Sequence, residues 1–180
     1  LIRPTFFVSE TIPVTYMTNK IEQNTRLQFI RKIAPMAQQD QKDFGILSSI
    51  TIAQACLESD FGRSQLSSKY FNLFGIKSYN DNLPSITLPT TEYENNKKIT
   101  VNASFRSYEN YQQSITDHSK LFITGVDWNR DLYKPVVEST DYASATKALV
   151  SSGYATDPSY ARSLNSLIEK YNIDHYDRLN

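Results

Sequence analysis

Residues 50–57 constrain the fold more than any other stretch of the chain. Ile50, Ile52, Ala53, Ala55, Cys56 and Leu57 place apolar side chains on nearly every side of a helix, the pattern of a helix buried all round. Ser48 and Ser49 are suited to cap its start, and Phe61-Gly62 marks its end. Glu58 therefore falls in the last turn of a buried helix. Burial and the negative end of the helix dipole both oppose ionisation there, and a cation would be the stabilising choice. A carboxylic acid kept protonated near neutral pH is what protonating a leaving group requires. The competing reading is a Glu that reaches solvent at a helix end.

Composition removes several classes. The chain has 180 residues with 19 Lys+Arg and 19 Asp+Glu, a formal net charge of +0. That is enough chain for one domain burying about 70% of its unfolded surface. The charge balance argues against a nucleic-acid binder, which carries a basic excess. No apolar run approaches the roughly 20 residues of a membrane span. The single cysteine, Cys56, excludes an internal disulfide framework and reads as a packed thiol. No Cys/His/Asp cluster has metal-ligand spacing, so no metal or cofactor is expected. The 12 Tyr against 9 Phe favour amphipathic rings suited to groove walls. Because the chain starts at Leu1, a fragment or processed form is expected, with any signal peptide, anchor or wall-binding segment outside it.

Along the chain, residues 1–24 contain Pro4 and Pro13 without sustained periodicity and read as an extended arm or linker. Residues 25–180 read as one domain. Leu27, Ile30, Ile33 and Ala34 share a helical face, and Pro35 is expected to kink or restart that helix before Gly45. A loop containing FNLFGIK, residues 71–77, follows the Glu58 helix. Ile99, Val101, Ala103 and Phe105 then alternate with polar residues and pair with a strand over 85–93, Asn95-Asn96 supplying the turn. Helices carrying Tyr111, Ile115, His118 and Phe122, then Tyr142, Ala145 and Leu149, complete most of the rest. Asp157-Pro158 opens a last helix with Tyr160, Leu164, Leu167, Ile168 and Tyr171 inward. The architecture is α+β and mainly α, a helical domain with one inserted hairpin.

The hairpin carries further carboxylates, Glu92 and Glu94. One carboxylate on a hairpin and another at a buried helix end can face each other across a groove, as glycoside hydrolysis requires. Spacing alone favours the plainer reading, solvated charges that protect a sheet edge.

The segments AQACLESDFGRS, NLFGIK, TTEY, FRSYENYQQSITDH and GYATDPSYA resemble, in this order, glycoside hydrolase family 73. Its members are bacterial endo-β-N-acetylglucosaminidases that cut peptidoglycan. The resemblance implies a lysozyme-like fold whose hairpin lobe flanks a substrate groove. It implies Glu58 as general acid and Glu92, in Thr90-Thr91-Glu92, as second carboxylate. Tyr154 is the first choice for the tyrosine beside the acid and Tyr160 the second, the latter also suited to core packing. Asn72 and Phe74 match an Asn-x-Phe-Gly element of the groove, with loop fastening an equal reading for Asn72. Phe61 stands where relatives often carry Trp, and is a candidate sugar contact. Asp60, two residues from Glu58, is expected to raise the acid's pKa further, and His118 reads as scaffold.

The resemblance also implies peptidoglycan glycan strands as substrate and a secreted or cell-surface location. A lytic transglycosylase or muramidase on the same fold, and a non-catalytic wall-binding module, are the alternatives.

Overall fold

The computed structural model describes residues 14–79 and 82–180, with side chains from Thr18 onward. Its elements are α1 (Val14–Phe44), α2 (Ser48–Ser59), α3 (Gln65–Tyr70), β1 (Ser85–Glu94), β2 (Lys97–Arg106), α4 (Tyr111–Thr124), α5 (Lys134–Val137), α6 (Tyr142–Ser151) and α7 (Tyr160–Tyr171). A 3-10 helix, Ile173–Asp177, closes the series.

The largely apolar segment becomes α2, packed by α1, α6, α7 and the 3-10 helix. Residues 48 to 56 and Ser59 are buried, whereas Leu57 and Glu58 are exposed. Ser48 and Ser49 do not cap this helix; they are its first two residues. Leu47 holds the cap position without a side-chain acceptor, so distant groups take over the free N–H groups that every helix start leaves. The Ser48 N–H and hydroxyl donate to Gln41 Oε1 at 2.9 and 2.6 Å. The Ser49 N–H and hydroxyl donate to the two oxygens of Asp177 at 2.7 and 2.6 Å. The 3-10 helix thus holds the start of α2 from the far end of the sequence.

At the other end, Asp60, Phe61 and Gly62 all take positive φ, 51°, 54° and 78°. A bulky residue pays steric strain in that region, and local bonds offset it. The Phe61 N–H donates to Cys56 O at 3.0 Å. Ser59 Oγ accepts from the Gly62 N–H at 2.8 Å while donating to Ala55 O at 2.6 Å. Gly62 is required, since a Cβ there would meet the Phe29 ring at 2.7 Å. The chain therefore reverses sharply just after Glu58.

Helix α1 starts earlier than expected and does not restart at Pro35. It starts at Val14, so residues 14 to 24 are helical rather than an extended arm; residues 1–13 of that arm lie outside the described residues. This first part lacks an apolar stripe, and contacts one turn apart support it, such as the Arg26–Glu22 ion pair at 2.6 Å. Pro35 also sits inside a continuous helix. Burial of Ile33, Ala34 and Ala37 in the core outweighs the one backbone bond it removes.

The hairpin forms in the expected register, Glu92 opposite Ile99 and Glu94 opposite Lys97. Asn95 and Asn96 take φ of 51° and 61°, the two positive values a tight hairpin turn needs. Its base is tied to the 76–78 segment, where the Arg106 N–H donates to Ile76 O and the Ser78 N–H to Ser104 O, each at 2.9 Å. The short α3, α5 and 3-10 helices were not anticipated. Helix α7 begins at Tyr160, two residues late, because Asp157 first caps a turn through the Ser159 N–H at 2.8 Å.

Candidate active site

Glu58 lies on a cleft of about 320 Å³ between the α2–α3 turn and the hairpin. Ser64, Gln65 and Leu66 line one side, with Leu88, Pro89, Thr90 and Phe105 from the hairpin. Gly75 completes the lining, and nothing lies within 4 Å of where its Cβ would be. Two larger hollows, of about 430 and 450 Å³, surround Leu83, Arg106 and Gln113 and do not include Glu58. Chemistry rather than size singles out the smaller one.

The acid opens to the cleft, yet the surrounding protein raises its pKa above the ordinary carboxylate value. One group opposes that shift: the Tyr160 hydroxyl donates to Glu58 Oε1 at 3.3 Å and favours the ionised form. Asp60 does not act as expected, because Arg63 meets its charge at 2.9 Å and burial is what raises Glu58.

Behind the acid, Gln54 Nε2 donates to the Tyr160 oxygen at 3.0 Å, and Gln54 Oε1 lies 2.9 Å from His118 Nε2. Tyr160 is buried, its ring packed in the core while its hydroxyl reaches Glu58. Tyr154 sits beside it, ring centroids 6.1 Å apart, and stacks on Phe122 at 5.5 Å. Its hydroxyl also lies by Gln54, and desolvation drives its pKa far up, keeping the phenol protonated.

The other expected residues fall in different places. Asn72 is buried and wholly engaged in fastening the loop. Its Nδ2 donates to Ile76 O and Arg106 O, both at 2.9 Å, and its Oδ1 accepts from the Phe74 and Ile76 N–H groups. Phe74 is buried against His118, stacked at 3.9 Å, rather than lining the cleft. Phe61 is 8% exposed, between Phe29 and Tyr171 and under the Arg26 guanidinium, with no face left for a sugar. The left-handed turn rotates it inward.

Glu92 does not line the cleft either; it pairs with Lys77 Nζ at 3.3 Å. It does share a strand face with Leu88 and Thr90, which do line it, two residues or about 7 Å beyond Thr90. Gln54 is the residue near the acid that sequence reasoning passed over, and His118, read there as scaffold, hydrogen-bonds to it. Gln54 carries a signal: it is the one amide in an apolar helix and stands four residues before Glu58, on the same face.

A family model described as mannosyl-glycoprotein endo-beta-N-acetylglucosaminidase matches residues 34–173. The chain belongs to the glucosaminidase family. Exo-glucosaminidase LytG of Bacillus subtilis is 42% identical over 173 residues, which cover 96% of this chain and 60% of that relative. The catalytic domain of the autolysin Auto from Listeria monocytogenes superposes with a TM-score of 0.77 at 38% identity, over 84% of this chain and 87% of that one. A glycoside hydrolase domain of FlgJ from Salmonella typhimurium gives 0.67 at 30% identity, over 82% and 97%. The chain thus has the lysozyme-like fold of the glycoside hydrolase domains it matches, a helical body bearing a hairpin lobe. Among its described residues no helix is long and apolar enough to cross a membrane.

Proposed function

We propose that this glucosaminidase hydrolyses the β-1,4 bond between N-acetylglucosamine and N-acetylmuramic acid within peptidoglycan glycan strands. The observation that carries this reading is Glu58: an acid of raised pKa at the floor of a hairpin-walled cleft, with a tyrosine hydroxyl on one oxygen. The substrate class follows from relatives named exo-glucosaminidase, autolysin and peptidoglycan hydrolase. Peptidoglycan lies outside the cytoplasm, so the site of action is the wall, as a secreted or surface-held enzyme. Wall-binding segments belong, on this reading, to parts of the protein outside the chain.

Glu58 protonates the glycosidic oxygen as the bond breaks and the ring gains oxocarbenium character. The carboxylate left behind is stabilised by the Tyr160 hydroxyl. Water then completes the sugar, activated by Glu92 brought over the cleft by the hairpin. The layout of the hairpin supports this role, since the strands are anchored at the base and Glu92 lies toward the tip on the cleft-side face. Acetal hydrolysis in this form uses proton transfer and water, and invokes no cofactor.

Dye release from labelled peptidoglycan by wild type, Glu58→Gln and Glu92→Gln tests the scheme. Loss in both variants is expected. Full activity of Glu92→Gln with loss in Glu58→Gln would transfer the second role to the substrate's own acetamido group, or indicate a lytic transglycosylase.

A further inference from the structure

The Glu58 carboxyl has two oxygens, and catalysis depends on which one carries the proton. Tyr160 donates to Oε1. In the protonated acid Oε1 must then be the accepting, carbonyl-type oxygen. The acidic proton belongs on Oε2, which makes no hydrogen bond among the described residues and is left for the glycosidic oxygen. This assignment holds only while the single phenolic hydrogen of Tyr160 points at Glu58.

We propose that Gln54 and His118 are positioning residues that fix the direction of that hydrogen, and so place the proton of Glu58 on its cleft-side oxygen. The Gln54 amide offers an acceptor at one end and two donors at the other. With its oxygen toward His118, its NH2 faces the hydroxyls of Tyr160, at 3.0 Å, and Tyr154. The Tyr160 oxygen then accepts, and its hydrogen is directed to Glu58. Turned the other way, the amide oxygen would accept the Tyr160 hydrogen and strip it from the acid.

His118 selects between the two arrangements. It is 1% exposed, stacked on Phe74 and edge-on to Phe122 at 4.9 Å. Burial holds the ring neutral, its pKa pushed down to about 3, so it carries one donor and one acceptor. Nδ1 has no partner. A proton there would be an orphaned buried donor, which proteins tolerate less well than an unused acceptor. The proton therefore sits on Nε2 and donates to Gln54 Oε1. All three bonds then run one way, from His118 to Gln54 to Tyr160 to Glu58, each polarising the next.

Few other charges face the acid. Tyr160 and Tyr154 approach from α7 and the loop before it, and Asp60 is paired with Arg63. The hairpin lining is uncharged, and Glu92 and Lys77 pair beyond it.

The catalytic consequence rests on Glu58 being the acid proposed above; the direction of the bonds does not. Histidine-selective 15N NMR of the unmutated protein between pH 5 and 8 tests that direction. A neutral His118 protonated on Nε2 throughout is expected, and a proton on Nδ1 would overturn the proposal. The consequence is tested by kcat/KM profiles against pH for Gln54→Leu, Tyr160→Phe and the double variant, with melting curves as a fold control. Gln54→Leu should move the alkaline limb up by about half a pH unit, and the double variant should move it no further than Tyr160→Phe. An unmoved limb in Gln54→Leu, or additive shifts, would overturn it, and the tautomer alone decides if Gln54→Leu does not fold. Retained activity in Glu58→Gln would sink the functional reading while leaving the hydrogen-bond direction standing.

Discussion

The hydroxyl of Tyr160 donates to Oε1 of Glu58 at 3.3 Å, joining the start of α7 to the end of α2 across 102 positions of sequence. Two opposing influences meet at that bond. Partial burial raises the Glu58 pKa, and the phenol lowers it. The shift favours the protonated acid without losing support for the carboxylate it becomes.

Removing the hydroxyl has a pH effect of definite sign. In Tyr160→Phe nothing offsets burial, so the Glu58 pKa rises and the protonated, working form persists to higher pH. The alkaline limb of kcat/KM should shift upward while the rate at the optimum falls, because the departing carboxylate loses its donor. A downward shift would contradict the assignment.

Glu92 offers a clean separation of activity from stability. Its partner Lys77 is 3.3 Å away and both side chains are near half exposed, 44% and 45%. Such pairs contribute about 0–1 kcal/mol. Glu92→Gln should leave the melting temperature within about 2 °C of wild type and lower kcat on peptidoglycan by about 100-fold or more. A variant with lowered melting temperature and intact rate would reverse the account of this residue.

Asn72 is the converse case, a structural residue outside the cleft. Asn72→Ala removes the side-chain partner of Arg106 O and of the Phe74 and Ile76 N–H groups, while Ile76 O keeps the Arg106 N–H; each group left without a partner costs about 1–3 kcal/mol when no water replaces it. Destabilisation beyond about 3 kcal/mol is expected in urea unfolding. A cost under about 1 kcal/mol would show that the loop does not depend on it.

Asp40 sets a pH dependence of stability. It is 2% exposed in α1, with no cation among the described residues beside it, accepting from Gln112, Thr116 and Ser119 of α4. Burial raises its pKa against those three bonds. Its stabilising contribution is therefore full below the unfolded pKa and is lost as pH rises through the raised folded value. Asn keeps an acceptor for Gln112 and Thr116 and does not titrate. Asp40→Asn should melt higher than wild type at pH 7, with the two curves converging in acid. A lower melting temperature at pH 7 would mean that the ionised carboxylate is worth more than its burial costs.

Much of this arrangement is written locally. The helix under Glu58 announces itself through apolar residues on nearly every side, and the hairpin through period-two alternation around Asn95-Asn96. What stayed hidden depends on tertiary context. The first turns of α1 have no apolar stripe, and α3 and α5, with six and four residues, are too short to show a period. Phe61 resembled a sugar contact until three consecutive left-handed residues turned it into the core. His118 and Gln54 are 64 positions apart, and no spacing rule links an imidazole on α4 to an amide on α2.

The central claim is that Glu58 cleaves glycan strands on the reducing side of N-acetylglucosamine. Mass spectrometry of peptidoglycan digests, with and without borohydride reduction, for wild type and Glu58→Gln tests it most directly. The account predicts fragments ending in reducible N-acetylglucosamine from wild type and none from Glu58→Gln. Fragments ending in reducible N-acetylmuramic acid or its 1,6-anhydro form, or equal digestion by the variant, would contradict it.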